Sequence, residues 1–258
     1  MRKFLISGNW KMQLDRAESL ELAALTMAKL KDNCPAEVVL MPTFVHLDAV
    51  GQLIRNSQLK LGAQNVYFEK KGAFTGEISP AMLDDIGVKY VLVGHSERRH
   101  IIGEEDELLN KKAIAVITEG LVAVLCVGET LDQRQSYRTV EIVGRQLDAG
   151  LAHVSSEAVD QGLLVVAYEP VWAIGTGHTA TPQQAQEVHK YIRDKLVGRF
   201  GEPIASRVRI QYGGSVKKNN AGELLAQPDI DGLLVGGASL IADEFLGIIQ
   251  AAAQVPSH

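Results

Sequence analysis

Two cysteines, Cys34 and Cys126, are too few to staple a chain of 258 residues with disulfides. Both read as reduced thiols, Cys126 as a filler in the apolar run Leu121-Val122-Ala123-Val124-Leu125-Cys126, and the expected compartment is the cytoplasm. No apolar run reaches the roughly 18 residues of a membrane span. The opening Met1-Arg2-Lys3-Phe4-Leu5-Ile6-Ser7-Gly8 has a positive pair but an apolar stretch too short for a signal peptide, and reads better as a first strand. Lysine and arginine form no run and the net charge is −5, so neither nucleic acid nor an acidic membrane surface is an expected partner. A phosphorylated ligand would have to be held by local groups. The eight prolines are scattered and no linker or low-complexity tract interrupts the chain, which predicts one domain over residues 1–258. No Gly-x-Gly-x-x-Gly follows the first strand, and no His/Cys/Asp cluster has ligand spacing, so no dinucleotide and no metal is expected.

Hydrophobic residues make up 46% of the chain, enough for a large core, and they alternate between short apolar runs and longer amphipathic stretches. Strands are expected near 3–8, 37–41, 59–64, 89–93, 121–126, 163–168, 206–211 and 231–235. Between them, Asp15 to Lys31 repeats apolar residues at Leu20, Ala23, Ala24, Met27 and Leu30, and Thr181-Pro182 has the pattern of an N-cap followed by proline at the first helical position. Eight units of about 32 residues fit a single-domain α/β (β/α)8 barrel, with an open doubly wound sheet as the alternative on pattern alone.

Polar residues cluster just after these strands. Asn9 and Lys11, His95 and Glu97, Glu169, Ser215, and Gly236 with Gly237 would all meet at the C-terminal rim of a barrel. Glu169 ends the run Leu163-Leu164-Val165-Val166-Ala167-Tyr168 and precedes Pro170-Val171-Trp172-Ala173-Ile174-Gly175-Thr176-Gly177, a stiff hinge, an indole and two glycines. That is a base attached to a lid, or else an ordinary strand-to-helix loop. Excluding water would strengthen the carboxylate as a base. His95 would be a neutral electrophile if Ser96-Glu97-Arg98-Arg99 start a helix whose N–H groups face the ring. Lys11 would stabilise anionic charge, held extended by Glu97, and Asn9 would donate a hydrogen bond. The bland readings are a solvated lysine and a Glu97 bridge to Arg98 or Arg99. Gly213-Gly214-Ser215 and Gly236-Gly237 suit a phosphate cradle, or simple turns.

The lid segment resembles that of the triosephosphate isomerase family. Gly8-Asn9-Trp10-Lys11-Met12, Gly94-His95-Ser96-Glu97-Arg98-Arg99, Tyr212-Gly213-Gly214-Ser215 and Val235-Gly236-Gly237-Ala238-Ser239-Leu240 agree with it, in order and across almost the whole chain. The resemblance implies isomerisation of dihydroxyacetone phosphate and D-glyceraldehyde 3-phosphate without metal or organic cofactor. It also implies phosphate-binding N–H groups from Gly175, Ser215, Gly236 and Gly237, and support of the lid by Ser96 and Tyr212. The loop 65–79 contains Tyr67, Phe68 and Phe74, and its tip Phe74-Thr75-Gly76-Glu77 resembles the segment that docks on a second subunit in this family, so a homodimer is expected. Three positions depart from the family's usual pattern: Gln13, His178 and Ile241. A barrel acting on another sugar phosphate, or a catalytically silent scaffold, are the competing readings.

Overall fold

In a computed structural model that describes residues 2–31, 33–175 and 179–256, eight strands pair in parallel and in sequence order into a closed barrel. They are β1 (Phe4–Asn9), β2 (Ala36–Met41), β3 (Lys60–Ala63), β4 (Val88–Val93), β5 (Val122–Val127), β6 (Leu164–Tyr168), β7 (Arg209–Tyr212) and β8 (Gly232–Val235), with β8 returning to pair with β1. Both faces of each strand are covered, which is why the runs read as nearly continuous apolar stretches rather than as alternating ones. Leu5, Val39, Met41, Leu92, Val124, Val165 and Leu234 fill the barrel, while Ile6, Val38, Val91, Leu125 and Val166 face the helices outside. No described helix is long and apolar enough to cross a membrane.

The expected strands sit within a few residues of the observed ones. The largest error is β7, expected from 206 and found from Arg209, because Ser206 and Arg207 close a turn onto Glu202 and Ile204 through backbone hydrogen bonds. Asn9 is the last residue of β1 rather than the residue after it. The helix Pro182–Phe200 begins as expected: the Thr181 hydroxyl accepts from Gln184 N at 3.1 Å and Gln184 Oε1 accepts from Thr181 N at 3.0 Å.

His189 on this helix is fully buried, with Nδ1 3.0 Å from Asp229 O and its ring edge-on to Tyr168 at 5.8 Å. Burial pushes its pKa from 6.5 down to about 4. Between those values the unfolded chain binds the extra proton, so this residue's contribution to stability declines as pH falls, by about 3 kcal/mol over the whole window. His189→Gln is therefore expected to flatten the fall in melting temperature between pH 7 and pH 4. Melting curves of equal pH dependence in parent and variant would contradict this.

Candidate active site

Asn9, Lys11, His95, Glu169, Gly175, Ser215, Gly236 and Gly237 line one cavity of about 620 Å³ at the C-terminal ends of the strands. The barrel thus joins residues more than two hundred positions apart, as the strand-end rule requires. Thr176, Gly177 and His178 lie outside the described residues.

Glu169 follows β6 and is 2% exposed. Its Oε2 accepts from Ser96 N at 2.9 Å and its Oε1 stands 2.9 Å from His95 Nε2, so Ser96 holds the carboxylate itself. Gly128 and Gly213 make room for it from either side. A Cβ at Gly128 would lie 1.8 Å from Glu169 O, and one at Gly213 would lie 2.9 Å from its Cγ. Gln146 pins Gly128 at both ends, accepting from Gly128 N at 2.7 Å and donating to its carbonyl at 3.1 Å. Gly128→Ala should displace the Glu169 carboxylate and, if Glu169 is the base the sequence predicts, lower kcat by roughly 10²-fold, as misplacement by about 1 Å does. Full activity in this variant would show that the backbone here adapts.

His95 is held between two elements of opposite effect. Glu97 N donates to Nδ1 at 3.3 Å, so a neutral ring carries its proton on Nε2, the nitrogen that stands 2.9 Å from Glu169 Oε1. Burial, the largest single influence, disfavours the imidazolium, but the Glu169 and Glu97 carboxylates together favour it, and in this arrangement the pKa stands above the ordinary histidine value. Without the Glu169 charge beside it, burial and the Glu97 N–H would favour the neutral ring, while the Glu97 carboxylate would still favour the imidazolium. A short helix does start at Ser96, as expected, and continues as a π-helical turn over Arg98–Ile102, although one N–H rather than several meets the imidazole.

Lys11 Nζ bonds to Glu97 Oε1 at 2.5 Å, while Arg98 and Arg99 pair with Glu104 and Asp106 instead. The backbone at Lys11 is left-handed, φ 54, a costly conformation for a residue with a side chain. Asn9 Oδ1 accepts from Lys11 N at 3.0 Å, and Gln64 Nε2 donates to Lys11 O at 2.8 Å, holding the turn that aims Nζ into the cavity. With its oxygen so engaged, Asn9 keeps its amide N–H groups for a ligand.

Behind the lid, the buried Glu129 carboxylate accepts from Trp172 Nε1 at 2.9 Å and from Tyr168 OH at 3.1 Å, and Arg134 pairs with it at 3.2 Å. The Arg134 guanidinium also lies 4.7 Å from the centre of a Trp172 ring. Val171 N donates to Glu129 O at 3.1 Å, so both ends of Glu129 grip the start of the lid. The buried Tyr212 phenol faces the Ala180 backbone near the far end of the lid, and burial raises its pKa to about 12. Nothing in the local sequence marks Glu129, Arg134, Gln64 or Gln146. The departure Ile241 lines the same cavity as Gly236 and Gly237 and is 58% exposed.

A model of one protein family, described as triosephosphate isomerase, matches residues 4–252. The chain is 53% identical over 250 residues to the triosephosphate isomerase of Carboxydothermus hydrogenoformans, covering 97% of this chain and 99% of that one. It is 51% identical over 253 residues to that of Chlorobium phaeovibrioides, covering 98% and 100%. The corresponding protein of Thermoanaerobacter pseudethanolicus is 49% identical over 249 residues, with 96% and 99% covered.

Proposed function

The chain belongs to the triosephosphate isomerase family, and from that membership we propose how its residues divide the work. It interconverts dihydroxyacetone phosphate and D-glyceraldehyde 3-phosphate through an enediolate, in glycolysis and gluconeogenesis. Glu169 takes the proton from the carbon beside the carbonyl, and the electron pair released forms the carbon–carbon double bond of the enediolate. His95 Nε2–H donates to the carbonyl oxygen and recovers a proton from the neighbouring hydroxyl, while protonated Glu169 returns its proton to the other carbon. Lys11 and Asn9 stabilise the anionic oxygens, and Glu97 keeps Lys11 extended. The N–H groups of Gly175, Ser215, Gly236 and Gly237 receive the phosphate. Closure of the lid, Pro170 to Thr176, keeps water out, a gating role already familiar from this family.

One observation carries this assignment: base and imidazole stand 2.9 Å apart in the cavity that also holds Lys11, so both can face adjacent carbons of one small substrate. A coupled assay of the purified chain on D-glyceraldehyde 3-phosphate is expected to give rapid turnover and on other phosphorylated aldoses little. The opposite ranking would point to a different sugar phosphate.

The working unit is proposed to be a cytoplasmic homodimer. A second cavity of about 350 Å³ is lined by Asn9, Lys11, His95 and Glu97 together with Phe44 and Ile102, and so lies directly behind the catalytic groups. Met12, Val45, Ile101 and Ile102 are 60–91% exposed, an apolar surface that the loop tip Phe74-Thr75-Gly76-Glu77 of a second copy would cover. Within one chain the Tyr67 ring packs at a tilt against those of Phe68 and Phe74, at 4.5 and 4.9 Å, giving that loop a preformed shape. Sedimentation should return twice 28.0 kDa, and a monomer with full activity would refute the arrangement.

A further inference from the structure

We propose that Arg99 is a positioning residue that sets the spacing between the His95 ring and the Glu169 carboxylate, by tying the end of β4 to the end of β5. The inference rests on the assignment of those two groups as electrophile and base.

The β4–β5 ladder ends at the pair Val93 and Leu125. The next pair would be Gly94 and Cys126, but Gly94 takes a left-handed turn, φ 75, that swings His95 into the cavity and breaks the ladder. The Gly94 and Cys126 carbonyls point to the same place, and the Arg99 side chain occupies it. Its Nε donates to Gly94 O at 2.9 Å, its Nη2 to Cys126 O at 3.0 Å, and its Nη1 to Asp106 Oδ1 at 2.5 Å. The side chain is only 8% exposed, so these bonds are made out of reach of water.

Each carbonyl belongs to one of the two reacting groups. Gly94 O lies in the peptide that joins Gly94 to His95, so fixing it fixes the direction in which the imidazole leaves the backbone. Cys126 precedes Val127, whose carbonyl accepts from Glu169 N at 2.8 Å, so the end of β5 carries the backbone of the base. The planar guanidinium thus spans the gap between electrophile and base with a geometry that an ammonium does not reproduce. Arg99 N also donates to His95 O at 3.1 Å, which closes a ring of contacts around this histidine. The need becomes sharpest during turnover. Once Glu169 leaves the ring for the substrate, the near polar contacts of His95 on its own turn are those of Glu97 with Nδ1, and the turn that holds them is the one Arg99 fastens.

Gly94 is part of the same device. A Cβ there would stand 3.2 Å from Arg99 Nε and Nη2 and 2.8 Å from Leu109 Cδ1, so the close seat of the guanidinium depends on glycine as much as the turn does.

The test compares Arg99→Met and Arg99→Lys with the parent enzyme for kcat, KM and the ring ¹⁵N shifts of His95 in labelled protein. Arg99→Met should lose roughly 10²-fold in kcat with KM within about threefold, move the His95 shifts, and recover in part in Arg99→Lys, which keeps one donor. A folded Arg99→Met enzyme within about twofold of the parent kcat would overturn the proposal, as would a loss of kcat with His95 shifts unmoved. If Arg99→Met fails to fold, Arg99→Lys decides by the same two readouts, with parent kcat and parent shifts overturning it. A parent chain without isomerase activity would instead sink the assignment of the site, while the ¹⁵N measurement would still report whether Arg99 holds the ring.

Discussion

Glu169→Gln is expected to lower kcat by roughly 10² to 10⁴-fold, the usual contribution of a positioned general base, while an unreactive phosphate-bearing inhibitor still binds. Glutamine fills the same volume and cannot accept the substrate proton. The geometry adds a second cost. Ser96 N and the Nε2–H of His95 approach different oxygens of the carboxylate, whereas an amide offers one oxygen and one NH₂. If the amide oxygen keeps Ser96, its NH₂ faces the histidine N–H, and donor meets donor. Glu169→Gln should therefore also release the His95 ring in the substrate-free enzyme and return its pKa toward the value set by burial. Glu169→Asp separates the two effects, since it keeps the charge and draws it back by about one methylene; the expected loss is roughly 10²-fold, with the His95–carboxylate contact lengthened. Steady-state kinetics together with titration of His95 distinguish the pair. Near-normal turnover in Glu169→Gln would end the base assignment.

How much of this was legible in the chain depends on the range over which each interaction acts. Strand positions, the Thr181-Pro182 cap and the gathering of Asn9, Lys11, His95, Glu169 and Ser215 at one rim follow from local propensity and from the rule that strand ends converge in a barrel. The salt bridge of Lys11 to Glu97 was also foreseen, because both residues were assigned to that rim. What escaped was held by partners distant in sequence. Nothing around Gly128 in the sequence points to its reason, which is the Glu169 backbone 41 positions later, where a methyl group has no room. Glu129 and Arg134 sit in an ordinary polar stretch, and only the fold brings Trp172 and Tyr168 onto them. Gln64 supports the strained Lys11 from the end of another strand. The helix start after His95 is legible, but the number of N–H groups facing the ring is not: Arg98 and Arg99 both donate their backbone N–H to His95 O, which leaves Glu97 alone to meet the ring.

Lys11→Met should be nearly as damaging as loss of the base, for a different physical reason. Lys11 lines the cavity in a protein of net charge −5, and in the proposed mechanism its cation would face both the phosphate dianion and the oxygen that gains charge in the enediolate. Removing one donor aimed at such a developing charge costs about 10² to 10³-fold in kcat, and loss of the full charge should add weakened binding of any anionic inhibitor. The substitution also leaves Glu97 without the partner 2.5 Å away, so an anion stands beside the place an anionic substrate must enter. That residual charge makes a double variant informative. Lys11→Met with Glu97→Gln should bind the inhibitor better than Lys11→Met alone, although Glu97→Gln in the parent should weaken activity only by about tenfold, through a less firmly aimed ammonium. The two substitutions would then be non-additive in the direction of rescue. Additive losses would mean that Glu97 does not act through Lys11, and its place would pass to the neighbouring His95 Nδ1, 3.5 Å from Glu97 Oε2.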